Sequence, residues 1–531
     1  MPRSPAPVVI AVDAGTTGVR VVAVDASAEV VDAAYRELTQ HFPRPGWVEH
    51  DAAEIWAAVR SCLAEVGGRL AEAGRRCAAV GVTNQRETVV AFSRRSGAPL
   101  CPAIVWQDRR TADTCRALAE GGHLPLVRER TGLVLDPYFS ASKMHWLLEG
   151  GSPEVAASAG GPSGDLALST VDSWVVWNLT GGPAGGAYVT DVTNASRTML
   201  FDIVVRRWSD ELCALFGVPQ DVLAEVVPSC GRVGVVSPDV VGSGSPLGGV
   251  PVAGIAGDQH AALFGQACFE PGMAKATYGT GTFVLLNVGP SCPAPVDGLV
   301  TTVAWDLGDT TAALVREGVG GGDGAPRHPP FSYALEGSVF TSGAAIQWLR
   351  DGLGLIGAAA ELEPLARSVV STEGVVVVPA FAGLGSPHFD PYARGAIVGL
   401  SRGTGRAHLA RAVVEALAFE VRDVLDAMAA AGTSPARVRA DGGASVMDLL
   451  LELQATQSGV PVARPRSVES TAIGAATLAG LAEGVWGSLD DVAGCWSAER
   501  VFEPPPDRGP ADAAHRAWLA AVERARGWAA P

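Results

Sequence analysis

Six short polar clusters interrupt this 531-residue chain with side chains able to bind ions or move protons. In the first, Asp13 precedes Gly15-Thr16-Thr17-Gly18. The amides of such a turn can point at phosphate oxygens, and the Thr16 and Thr17 hydroxyls add donors. An aspartate beside them can hold a hydrated magnesium ion. The same residues also make an ordinary hairpin turn whose aspartate caps its own backbone. Asn84-Gln85-Arg86-Glu87 is either an exposed turn or a set of charge-assisted donors and acceptors suited to a polyol. Trp106, in Trp106-Gln107-Asp108-Arg109-Arg110, is either core or a wall packed on a carbon chain. In Gly257-Asp258-Gln259-His260 the carboxylate can take a proton from a substrate hydroxyl, or it can cap a helix. Gly279-Thr280-Gly281 and Asp441-Gly442-Gly443-Ala444 allow close backbone approach to a nucleotide, although each alone is a common turn.

These clusters sit at the ends of regular elements. The pattern predicts a hairpin from Val8–Val12 and Val19–Val24, then a helix from about Ala52, where Asp51 and Glu54 have capping-box spacing. Strands follow at Ala78–Val82 and Thr88–Phe92, and a helix near Ser142–Leu148. Strands and helices alternate to about residue 250, which is an α/β class. Val240–Val250 reads as a loop, and Val252–Ile255 as a strand leading to an apolar helix at Ala261–Gly265. Met273–Val288 then repeats the opening theme of two apolar runs around a glycine turn. Two similar halves facing across a cleft would bring both glycine turns to one ligand. Gly318–Pro330 has the composition of a surface loop or disordered insertion. Later elements are helices near Ala344–Asp351, His408–Met428, Leu449–Gln457 and Ala472–Ala482, with strands at Val375–Pro379 and Val438–Asp441.

Composition narrows the class of function. A net charge of -16 argues against a nucleic-acid partner. Only two lysines occur, Lys143 and Lys275, and neither follows a glycine, so the G-x-x-x-x-G-K-[ST] phosphate loop is absent. Any nucleotide must be held by backbone amides and arginine. Nine cysteines stand singly, with no C-x-x-C pair, which favours reduced thiols in a cytoplasmic protein. No signal peptide is visible and no apolar run approaches the length of a membrane span.

The blocks AVDAGTTGVR, PGWVEHD, GVTNQRET, AIVWQDRRTA, TGLVLDPYFSASK, DVTNASRTMLFD, GIAGDQHAALFGQ, TYGTGTF, YALEGSVF, AIQWLRD, VVPAFAGLGSPHFDPYARGAIVGL and ADGGAS, in that order, resemble glycerol kinase, of the FGGY sugar and polyol kinases. The resemblance spans residues 11–445 and implies two ribonuclease-H-like domains around a central cleft, as in actin and the heat-shock chaperone ATPases. The expected division is residues 1–256, binding glycerol and phosphate, and 257–531, binding nucleotide. By resemblance, Arg86, Glu87, Tyr138 and Gln259 hold the glycerol hydroxyls, Trp106 and Phe283 are apolar walls, and Asp258 is the general base. Thr16, Thr17, Gly18 and Arg20 match the phosphate turn, Asp13 the carboxylate near Mg2+, and Thr280 the second phosphate turn. Gly343, Gln347 and Gly443 match positions that cradle phosphate, ribose or adenine.

Three departures stand out. Ala14 replaces a common glutamine, Gly18 and Val19 replace small hydroxyl residues, and Met447 stands where the family often places asparagine near the base. The implied partners are glycerol and ATP, with no nucleic acid and no membrane span, and a homo-oligomer is left open. The rival readings are a kinase for another polyol or a ketose, and an actin-like ATPase switch that binds a protein.

Overall fold

The structure is a computed structural model that describes residues 7–242, 244–309 and 328–529. Among these, two large mixed sheets dominate. The first contains β1 (Val8–Ala14), β2 (Gly18–Val24), β3 (Val30–Glu37), β4 (Cys77–Asn84), β5 (Cys230–Val235) and β6 (Pro251–Gly257), in the order β5-β6-β4-β1-β2-β3. The second contains β7 (Met273–Tyr278), β8 (Thr282–Gly289), β9 (Val300–Asp306), β10 (Phe331–Val339), β11 (Arg437–Asp441), β12 (Val462–Pro465) and β13 (Ala498–Phe502). Its order is β9-β10-β8-β7-β11-β12-β13.

The two sheets share one plan. β1 pairs antiparallel with β2 and parallel with β4, and β4 is parallel to β6. Likewise β7 pairs antiparallel with β8 and parallel with β11, and β11 is parallel to β12. The echo between the opening hairpin and Met273–Val288 is therefore structural.

Why β1 is a continuous apolar run follows from its surroundings. Val8, Ile10 and Val12 face one core, shared with helix α1 (Ala52–Glu72), while Val9 and Ala11 face another. A strand covered on both faces must be apolar at every position. The second core lies between the sheets. It is filled by α2 (Asp258–Gly265) and α6 (Ser470–Ala482), and it takes in Leu285 and Ala334 of the other sheet. On the outer face of the second sheet lie α4 (Arg406–Ala430) and α5 (Asp448–Ser458), and α3 (Gly343–Gln347) begins beside the turn after β7. The result is a helix–sheet–helix–sheet–helix stack.

Some local expectations change. Asp51 caps α1 by accepting from the Ala53 amide at 2.8 Å, but Glu54 accepts instead from the Thr39 amide and hydroxyl, so no reciprocal box forms. The strand at Val89–Ser93 exists but joins a separate four-stranded sheet, because the buried turn after β4 redirects the chain. A short helix at Pro238–Val241 opens the stretch read as a loop. Of Gly318–Pro330, residues 318–327 lie outside the described residues; His328 is buried, with Nε2 3.2 Å from Asp490.

The packing of α2 on α6 depends on glycine. A Cβ on Gly474 would lie 1.8 Å from the Ala261 carbonyl oxygen, and one on Gly265 would lie 2.0 Å from the Ser470 oxygen. Gly474→Val should therefore force these backbones apart and cost about 1–3 kcal/mol or more. A fall in the urea midpoint checks this; an unchanged midpoint would contradict the packing.

Candidate functional site

Parallel neighbours end together. Ala14 lies opposite Asn84, and Asn84 opposite Gly257. The carboxyl ends of β1, β4 and β6 therefore release the Gly15–Gly18 turn, the Arg86-Glu87 pair and Asp258 along one sheet edge, the usual ligand position in an open α/β sheet. Thr277 likewise lies opposite Asp441, so the Gly279–Gly281 and Gly442–Gly443 turns leave the second sheet side by side.

Asn84, Gln85, Arg86 and Glu87 are each no more than 2% exposed, which overturns the exposed-turn reading. Asn84 exchanges amide hydrogen bonds with Asn194, and Gln85 donates from its backbone to Ala14 O and from Nε2 to Gly15 O. These two residues brace the turn. The next two face the cluster. Glu87 has a left-handed backbone (φ 59) and accepts from Arg197 Nε at 2.7 Å.

Arg86 donates to both carboxylate oxygens of Glu336, at 2.6 and 3.0 Å, and to the Tyr138 hydroxyl at 3.3 Å. Its Nε lies 3.2 Å from Asp258 Oδ1. The arginine stem passes so close to the backbone that a Cβ on Gly257 would lie 2.6 Å from Arg86 Cγ. Arg197 completes the cluster by donating to Glu336 at 2.9 Å. Burial would raise the Glu336 carboxyl, but the Arg197 and Arg86 guanidiniums outweigh it and hold the group well below its ordinary value.

Asp258 is the first residue of α2, which is capped by Gly257, so the aspartate is not the N-cap. Burial raises its pKa while Arg86 opposes the rise. Gln259 accepts from Lys275 Nζ, and that buried lysine, with its pKa pushed down to about 8 by burial, also donates to Thr277.

Trp106 stands between Tyr138 and Phe283 in edge-on contacts, with centroids 5.7 and 6.1 Å apart. With Thr280, Gly281 and Phe340 they line a cavity of about 250 Å3 reached from both halves. Trp106 Nε1 donates to Thr16 Oγ1 at 2.9 Å, which ties this wall to the first glycine turn.

Around that turn, Thr17 is exposed, and a Cβ on Gly18 would displace the exposed Tyr35 ring, whose hydroxyl would lie 2.3 Å away. Arg20 is paired with Glu469 of the later half. A phosphate drawing on Arg20 would have to compete with that carboxylate.

On the second sheet, Thr280 is exposed and Gly343 packs on the turn, donating to Gly279 O at 2.9 Å. Gln347 is exposed one turn further along α3. Gly442 has a φ of 86° and lies against Tyr278, whereas Gly443 has open space where a side chain would be. Met447 is only 7% exposed and packs in the core with Ala444 and Leu449.

Asp13 is half-buried, and its pKa is raised to about 7, first by burial, then by Asp258 and Glu469 and against Arg20. A dication would relieve this crowding of carboxylates. Among the described residues no three His, Cys, Asp or Glu side chains form a metal cluster. Asp13 is thus a carboxylate that could hold a hydrated divalent cation.

Sequence reasoning missed Arg197 and Glu336. The available signal was a glutamate inside the apolar strand SYALEGSV, since charges are almost never fully buried unless paired.

Residues 8–265 match the N-terminal domain of the FGGY family of carbohydrate kinases, and 274–483 match its C-terminal domain. The chain belongs to this family. It is 48% identical over 532 residues to a glycerol kinase of Bordetella parapertussis, covering 98% of each chain. It is 49% identical over 522 residues to a glycerol kinase of Aromatoleum aromaticum, covering 98% of this chain and 99% of the other. The solved structure of Plasmodium falciparum glycerol kinase with ADP superposes with a TM-score of 0.87 at 31% identity, covering 98% of each chain. Xylulose kinase from Lactobacillus acidophilus, at 19% identity and TM-score 0.82 over 98% of this chain and 97% of that one, shares the FGGY fold. No helix among the described residues is long and apolar enough to cross a membrane.

Asp13 supplies a pH test of this FGGY site. Its carboxyl binds a proton more tightly folded than unfolded, so ionising it costs stability as pH rises from about 4 to about 7. Without ATP and metal, Asp13→Asn should match wild type in stability near pH 4 and exceed it above pH 7. Partial solvent screening limits the gain to about 1–2 kcal/mol. Melting curves across this range check it; a constant difference would contradict it.

Proposed function

We propose that the protein transfers the γ-phosphoryl group of ATP to a terminal hydroxyl of glycerol, giving sn-glycerol 3-phosphate. The observation that carries this reading is the junction of Asp258, Arg86, Glu87 and Tyr138 with the Trp106 and Phe283 walls, beside the Thr280 turn. Such a setting matches a short polyol: apolar sides for its carbon chain and charge-assisted partners for its hydroxyls. The glycerol kinases to which the chain is similar support the same substrate.

Glycerol lies against the Trp106 and Phe283 walls, held by Arg86, Glu87, Tyr138 and Gln259. Asp258, its proton affinity raised by burial, takes the proton as the hydroxyl oxygen approaches the γ-phosphorus. The new P–O bond forms as the bond to the β–γ bridging oxygen breaks, and ADP leaves. Thr16, Thr17, Gly18 and Arg20 meet the phosphates from one sheet, Thr280 and Gly343 from the other, and Gln347, Gly443 and the Met447 region border the nucleoside. Asp13 would hold Mg2+, which supplies charge neutralisation on the phosphates when bound. Residues 1–256 form the glycerol and phosphate half, and 257–531 the nucleotide half. The nine free cysteines suit the cytoplasm.

Initial rates with glycerol, dihydroxyacetone, erythritol and xylulose test the substrate. Glycerol should give the highest kcat/KM; a preference for xylulose would contradict the pocket. Arg86→Ala should lower kcat/KM for glycerol about ten- to a hundred-fold or more, because charge-assisted hydrogen bonds are lost. Asp258→Asn keeps the shape of the helix start but cannot accept the proton, so kcat should fall about 10²–10⁴-fold. Near-normal turnover would eliminate Asp258 as base.

A further inference from the structure

Glu336 does not line the cavity described above, yet it takes both terminal nitrogens of Arg86. Asp258 Oδ1 lies 3.2 Å from Nε and accepts the Gln259 amide at 2.7 Å. We propose that Glu336 is a positioning residue that holds the Arg86 fork away from Asp258 and so preserves the aspartate as a base. The inference rests on the reading of Asp258 as the proton acceptor.

The geometry is a competition for one guanidinium. Arg86 follows β4 of the first sheet, whereas Glu336 lies in β10 of the second, so the contact bridges the two halves. A guanidinium prefers a bidentate carboxylate. Glu336 holds the fork end-on, and Nη2 also donates to the Tyr138 hydroxyl, so Arg86 and Asp258 form no two-point pair.

Without the Glu336 charge, Asp258 is the nearest carboxylate for the freed fork, because Glu87 is held by Arg197 and lies 3.9 Å from Arg86 Nε against 3.2 Å for Asp258. Pairing Arg86 fully with Asp258 would stabilise the carboxylate and weaken it as a base. The remaining charges change little: Lys275 faces Asp258 from β7 and Asp13 from β1, while Arg197 faces Glu336 on its other side. His260, from α2, also faces Glu336, but burial pushes its pKa down and keeps it neutral.

The test is the pH dependence of kcat and kcat/KM for glycerol in Glu336→Gln, with folding checked by melting. Its acidic limb should move to lower pH, and kcat at pH 7.5 should fall about tenfold or more, while the KM for ATP stays within about twofold. Glu336→Asp, which keeps the charge, should restore the wild-type limb; this variant carries the test if the glutamine protein does not fold. A limb that stays in place in Glu336→Gln, or that moves equally in Glu336→Asp, overturns the proposal. Asp258→Asn, assayed beside them, separates the two ideas. Normal turnover there removes the base itself, whereas an inactive Asp258→Asn with an unshifted Glu336→Gln removes only the role of Glu336.

Discussion

Two buried arginines need anions, and that requirement organises the centre of the molecule. Arg86 and Arg197 are 2% and 0% exposed, and without partners each would carry a heavy desolvation cost. Glu87 and Glu336 meet that cost in one connected cluster. Because Glu336 belongs to the second sheet and Arg86 to the first, charge pairing fixes how the halves meet. The donors and walls around Asp258 are set by the same contacts.

Repetition of one sheet plan explains why the two glycine turns correspond. Each half opens with an antiparallel hairpin whose first strand continues into a parallel pair. Parallel strands deliver their loops to the same edge, so the Gly15–Gly18 and Gly279–Gly281 turns have equivalent positions. Between them, α2 and α6 press backbone to backbone through Gly265 and Gly474. Such close packing gives a rigid floor beneath Asp258, the first residue of α2.

The elements legible in the sequence are those set by neighbours along the chain. The β1–β2 hairpin declares itself by two apolar runs and a glycine turn, helix α1 by its Asp51 cap and α4 by its amphipathic pattern. What escaped reading depends on distant partners. Arg86 meets Glu336 across 250 positions, Arg197 meets Glu87 across 110, and Arg20 meets Glu469 across 449. Burial of Asn84-Gln85-Arg86-Glu87 was equally hidden, since four polar residues look exposed until their partners are known. Trp106 was ambiguous for a related reason: its indole serves as a cavity wall and as a strut to Thr16.

The central claim is that the two sheets bring acceptor and nucleotide to one point at Asp258. A crystal structure with glycerol, Mg2+ and a non-hydrolysable ATP analogue tests it most directly. Expected is a glycerol terminal oxygen within about 2.6–3.2 Å of Asp258, with the carbon chain against Trp106 and Phe283. The terminal phosphate should lie between the Gly15–Gly18 and Gly279–Gly281 turns, in line with that oxygen. Glycerol bound away from Asp258, or phosphates lying clear of both turns, would contradict the account.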